Sequence, residues 1–145
     1  MNTYEMEIKA NELASRIKEA NGDLSSAYNQ FEIERQEIEK LMPIEAILTT
    51  DEGHSAGMAL KKAHGGEEFW KIYSKAIKKK LCSRNEKLYG LAKLGLASSA
   101  GATVTAVVTS LALPPAALGL AVPVAAIIAT TGLEAFCEWT EEDRK

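Results

Sequence analysis

Few side chains in this sequence have the type and spacing for covalent or metal chemistry. Gly53-His54-Ser55-Ala56-Gly57 carries the Gly-x-Ser-x-Gly spacing with which a sharp strand-to-helix turn presents a serine nucleophile. That chemistry needs an apolar strand before the serine and an acid and a histidine after it. Here Thr49, Thr50, Asp51 and Glu52 come before, and His64 is the sole histidine downstream. The plainer reading is a turn in which Ser55 caps a helix. His64-Gly65-Gly66 has the look of an oxyanion loop but follows the serine instead of preceding it. His54 and His64 have no cysteine or carboxylate cluster at ligand spacing, so no catalytic residue, metal or cofactor is expected. Cys82 and Cys137 are too few for a disulfide framework and read as small hydrophobes of a reducing compartment, not as lipidation sites.

Lysine offers a different chemistry. The net charge of -3 hides a division along the chain: residues 1–52 carry twelve acidic and five basic side chains, and residues 53–93 three acidic and ten basic. Lys75, Lys78, Lys79, Lys80, Arg84 and Lys87 form the densest part of the basic block. The acidic first half and the lack of interleaved surface aromatics argue against nucleic acid as the partner. An anionic lipid surface fits better, because the block runs directly into an apolar stretch.

That stretch, Leu94 to Leu133, has no charged residue and is interrupted by Pro114 and Pro115. At about 1.5 Å per helical residue it can cover roughly 60 Å, two passes of a hydrocarbon core about 30 Å thick. The spacing predicts a two-pass hydrophobic hairpin with its turn at Pro114-Pro115. The first limb is diluted by hydroxyl residues: Ser98, Thr105 and Thr109 share one side of a helix, with Ser99, Thr103 and Ser110 beside them. Such a face either packs on another helix or lines a wet opening. The second limb is more apolar, and Pro123 is expected to kink it. The excess of Lys and Arg before the run places both chain ends in the cytoplasm, with Tyr89 and Trp139 as interfacial anchors. Met1 to Ala20 lacks a basic segment followed by an apolar one, so no cleaved signal is expected.

The remaining elements must hold or control this hairpin. A first helix starts near Thr3 and stops at Asn21-Gly22, and a second runs to Met42, just before Pro43. Leu13, Ile17, Ala20, Leu24, Ala27, Phe31, Ile38 and Leu41 keep alternating steps of four and three, with Glu34 in one seam position, a coiled-coil or helical-hairpin pattern. Short helices over Ile44–Leu48 and Ser55–His64 follow, and from Glu67 a long basic helix carries the stripe Phe69, Trp70, Tyr73, Ile77, Leu81, Leu88 and Leu91.

The expected architecture is all-α: a helical or coiled-coil region over 1–66, a basic amphipathic helix over 67–93, a membrane-inserting hairpin over 94–133 and a short acidic tail over 134–145. A monomer is expected to have difficulty covering two helices that are apolar on most faces, which points to a homo-oligomer or to lipid. The function expected is a small, oligomerising, non-enzymatic protein of the plasma or inner membrane that permeabilises it as toxins, holins and cell-suicide effectors do. It would be controlled through its N-terminal helices by a regulatory partner, inserted at once or soluble until triggered. The alternatives are a membrane-anchored scaffold, or a soluble helical binding protein whose hairpin is core.

Overall fold

The computed structural model describes residues 2–48, 53–82, 87–93 and 99–143. The chain is all-α, with no strand among the described residues. Its helices are α1 (Thr3–Glu19), α2 (Ser25–Glu39), α3 (Gly53–Lys62), α4 (Gly65–Leu81), α5 (Lys87–Lys93), α6 (Ala100–Leu111), α7 (Ala121–Thr131) and α8 (Leu133–Asp143). Short 3-10 turns cover Ile44–Ile47 and Pro115–Leu120.

The first two helices separate where the Asn-Gly pair falls. Asn21 and Gly22 both take left-handed backbone angles, and the Gly22 N–H donates to Ile17 O (2.9 Å) while that of Asn21 donates to Lys18 O (3.1 Å). These two bonds satisfy carbonyls left open at the end of α1. At the start of α2, Asp23 accepts from the Ser25 backbone N–H at 2.8 Å and from the Ser25 hydroxyl. Those hydrogen bonds hold the Asp23 carboxyl below its usual range.

The two helices then part company. α1 lies mainly against α6 and α7, and α2 mainly against α4. The stripe read from the sequence as one seam is therefore used against different neighbours, and two of its positions are surplus: Ala20 is exposed, and so is Leu41, at 72%. On α1 the working face is Met6, Ala10, Leu13, Ala14 and Ile17, all buried. Ala10 and Ala14 sit one turn apart, and their short side chains let α1 approach the equally small-residued α7 closely.

α7 is the centre. Every residue from Ala121 to Ile128 is buried, and α6, α1, α2 and α8 all touch the helix. α7 is thus covered within one chain, which the sequence suggests is difficult for a monomer. α6 lies at the edge of the bundle: Ala100, Gly101, Thr103, Val104, Ala106, Val107, Ser110 and Leu111 are buried, while Ala102, Thr105, Thr109 and Ala112 form an exposed stripe. Covering is possible because the face with the most hydroxyls is the one left uncovered. Pro123 stands in the first turn of α7, where its missing N–H has no intrahelical partner to lose, and the preceding chain winds as a 3-10 turn.

The basic stretch is two helices where one was expected. α4 ends at Leu81, and Cys82, its cap, is bonded to Cys137 of α8 with Cα atoms 5.8 Å apart. The reading of the two cysteines as separate thiols is corrected by this bond. α4 supplies the aromatic side of the core. Phe31 of α2 stacks on Trp70 at 5.0 Å and tilts against Phe69 at 5.8 Å. Phe69 meets Tyr73 at 5.5 Å, and Trp70 meets Phe136 of α8 at 5.9 Å. Burial pushes the Tyr73 phenol well above its usual range.

One residue carries avoidable strain. Ala112 closes α6 in the left-handed region at φ 49°, its N–H donating to Thr109 O (3.3 Å), and its methyl group is exposed. A Cβ there costs roughly 1–2 kcal/mol that glycine does not incur. Ala112→Gly is expected to raise unfolding stability by about 1 kcal/mol in urea titration, despite glycine's looser unfolded state.

Candidate functional site

The α6–α7 pair and the contacts that hold it are the candidate site. Its base, its first turn and its tip are each fixed by a different kind of interaction.

At the first turn of α6, two side chains satisfy amides that a helix start leaves open. Ser99, the N-cap, accepts from the Ala102 N–H (3.3 Å), and Asn11 of α1 accepts from the Gly101 N–H (2.8 Å) across a sequence separation of 90 residues. The Asn11 amide occupies the space beside Gly101: a Cβ there would come within 2.7 Å of Asn11 Nδ2. This contact ties α1 to α6 with a directed hydrogen bond.

At the tip, Glu34 of α2 lies against Gly119 in the Pro115–Leu120 turn, and a Cβ on Gly119 would fall on the Glu34 carboxylate. The seam position that the sequence pattern left polar thus faces the one residue of that turn with no side chain. Burial raises the Glu34 carboxyl above its usual 4.5, opposed by the Gln30 side-chain amide, which donates to Oε2 at 3.3 Å, and by the charge of Lys9; Glu37 adds a further upward push. Because the folded-state value is the higher one, the folded state takes up the proton more readily than the unfolded chain. The cost of the Glu34 charge is therefore largest at neutral pH and fades as pH falls through that raised value.

At the base, Cys82 and Cys137 join α4 to α8. One turn before Cys82 lies Lys78, wholly buried, with its ammonium 5.1 Å from the centre of the Phe136 ring. Lys78 therefore leaves the set expected to touch lipid: it faces the core, and the ring face of Phe136 attracts its charge. Trp70, Ser74, Lys78 and Cys82 follow one another at four-residue spacing, so they share one side of α4. α8 lies on that row.

The remaining expected site residues are dispersed. Lys75 is exposed and Lys80 half-buried, while the side chains of Lys79 and Lys87, and all of Arg84, lie outside the described residues. Ser99, Thr105 and Thr109 are exposed, and Thr103 and Ser110 are buried; Ser98 lies outside the described residues. The Thr103 hydroxyl donates to Ser99 O at 2.8 Å, and that of Ser110 has no partner among the described residues. Pro114 is half-buried and Pro115 exposed at the turn between α6 and α7. Tyr89 is half-buried against the core, and the side chain of Trp139 is outside the described residues. The Gly53–Gly57 pattern lies inside α3, and no grouping of His, Cys, Asp and Glu among the described residues has metal-ligand geometry.

Sequence reasoning missed Asn11, Gly119 and the Cys82–Cys137 pairing. Only Glu34, a charged residue interrupting an apolar seam, left a signal. No protein-family description, curated protein or solved structure matches the chain.

Two outcomes follow for these contacts. Asn11→Ala leaves the Gly101 N–H to water and is expected to cost about 1 kcal/mol of stability, in the range of a lost helix cap. Glu34→Gln is expected to raise the urea midpoint at pH 7, with the variant and parent curves converging as pH drops below the usual carboxylate value of 4.5.

Proposed function

We propose that this protein is a conditional membrane-perturbing effector, whose α6–α7 hairpin serves as core in the closed form and inserts into an anionic bilayer when released. The observation that carries this reading is the position of the hairpin: α7, the more apolar part of an uncharged stretch, fills the centre of the bundle, with α6 beside it and charged amphipathic helices packed on the pair. The reading is of physical type, shared with toxins and cell-suicide effectors that keep an apolar hairpin covered until it is needed.

No helix among the described residues is long and apolar enough to cross a membrane. α6, with 12 residues, spans about 18 Å against a hydrocarbon core of about 30 Å. Insertion therefore requires both limbs to rewind, the first over Leu94–Leu111 and the second over Ala116–Leu133, each about 27 Å long as a straight helix. The absence of charge from either limb keeps that conversion inexpensive, and the exposed lysines Lys61, Lys62, Lys71, Lys75 and Lys93 favour approach to an anionic surface. Once inserted, the neutral stripe Thr105–Thr109 is the face through which copies assemble.

The fold separates this reading from a permanently buried core by substitution on the exposed stripe. Thr109 faces solvent in the closed form, so Thr109→Lys leaves folding intact. In a bilayer the same lysine costs about 2.5–3.5 kcal/mol near the helix centre, enough to reduce insertion by about two orders of magnitude. Dye release from phosphatidylglycerol-containing vesicles is expected for the parent chain, to be faster for Thr109→Leu and to be abolished for Thr109→Lys. Equal release by both variants, or none by the parent under any triggering condition, means that the hairpin is simply the core of a helical binding module.

A further inference from the structure

We infer that the Cys82–Cys137 bond is a redox-operated strap: thiol–disulfide exchange with a dithiol reductant frees α8 from α4 and uncovers the side of α7 on which α8 packs. Its consequence at a membrane rests on the function proposed above; the opening itself does not.

The strap is visible in how little else holds α8. Of its side chains described, Leu133 and Phe136 are buried, Cys137 is half-buried, and Glu134, Ala135 and Glu138 are exposed. A free helix of 11 residues is marginal in water, so α8 depends on its docking. That docking runs along one row of α4: Phe136 sits between Trp70 (5.9 Å) and the Lys78 ammonium (5.1 Å), and Cys137 bonds Cys82 at the end of the row. The chain enters α8 through the exposed Gly132, at φ 92°, with open space where a Cβ would stand, a joint on which the helix can swing.

The bond also encloses the candidate site. The ring it closes runs from Cys82 to Cys137 and contains α5, α6, the Pro115–Leu120 turn and α7. While the ring is closed, the chain leaving α7 stays pinned to the end of α4 and α8 covers its side of α7. Among the described side chains of α8, opening the ring leaves the buried Leu133 and Phe136 to resist its departure. Because α8 packs mainly on α7 and α4, its release is expected to leave the N-terminal helices in place.

The exchange balances without any further reagent. A thiolate of the dithiol attacks one sulfur, forming a mixed disulfide and expelling the other cysteine as thiolate, which takes up a proton. The second thiol of the reductant then displaces the remaining cysteine. Two electrons pass from the dithiol to the bond, leaving the reductant as its disulfide. Both cysteines are half-buried, not enclosed, which gives a small dithiol a route to the sulfurs.

Hydrogen–deuterium exchange on the full chain, oxidised with glutathione disulfide and then reduced with dithiothreitol, tests the strap directly. A Cys82→Ser/Cys137→Ser variant serves as the permanently open form. Reduction and the double variant are both expected to lower protection of α8 amides by about tenfold or more while changing α1 and α2 by less than about twofold. Dye release from phosphatidylglycerol vesicles is expected to be at least about tenfold faster for the reduced chain, as a local opening that precedes insertion requires. Unchanged α8 exchange on reduction overturns the strap. Protection lost equally through α1 and α2 also overturns it, since the bond then holds the whole fold, and so do free thiols persisting after oxidation. α8 opening with equal leakage from both redox forms overturns the gating. α8 opening with no leakage from either form leaves the strap standing and removes the membrane reading alone.

Discussion

An uncharged stretch of chain long enough for two helices has to be kept from water, and this constraint shapes the rest of the molecule. Burial of apolar surface is worth about 25 cal/mol per Å², so leaving such a stretch exposed would outweigh any ordinary ledger of surface contacts. The structure meets the constraint by geometry. α7 is placed where every side from Ala121 to Ile128 has a neighbour, and α6 is placed at the edge, with its hydroxyl-bearing stripe outward. Small residues on α1 and α7 make this possible in a short chain, because Ala10, Ala14, Ala121, Ala125 and Ala126 let helices approach without large side chains between them.

Apolar packing among small residues is close but poorly directed, and the polar contacts supply direction. Asn11 on the Gly101 N–H sets where along α1 the start of α6 must lie. Glu34 against Gly119 does the same for the tip, and its burial makes that contact looser at neutral pH than in acid. Acidification therefore does not open the tip through Glu34; it relieves the charge and tightens the contact. Any acid-driven release would have to act elsewhere, and the Asp23 carboxyl, fully exposed and held down by Ser25, contributes stability that is lost only as pH falls through its lowered value.

The sequence carried the elements well and their partners badly. Asn21-Gly22 announces a stop because left-handed backbone suits those two residue types, and the stop is there. The stripe Phe69, Trp70, Tyr73, Ile77 and Leu81 repeats at helical spacing, and all five are buried. What periodicity cannot report is which stripe meets which. The α1 and α2 stripes continue one another in phase, yet they face α6–α7 and α4 respectively. Lys78 was hidden by its neighbours, since within Lys78-Lys79-Lys80 it looks like one more solvated cation; its place on the Trp70, Ser74, Lys78, Cys82 row is apparent only once α8 is known to lie there. The cysteine pairing was illegible for the same reason: residues 55 apart become neighbours only through the fold.

The three fastenings differ in what can undo them, and that difference gives the molecule an order of opening. The Asn11 bond is neutral and sits over apolar packing on α1, so neither pH nor reductant touches it. The Glu34 contact responds to protons, but in the tightening direction. The bond at the base alone is both covalent and chemically reversible, and it fastens a helix of whose described side chains Leu133 and Phe136 are buried. A chain opened at that point exposes the end of α7 first and keeps α1 seated on α6, so the second, more apolar limb is the one presented to any new surface. The limb whose hydroxyls already face water follows it, which is the order in which their unequal hydrophobicity favours leaving the bundle.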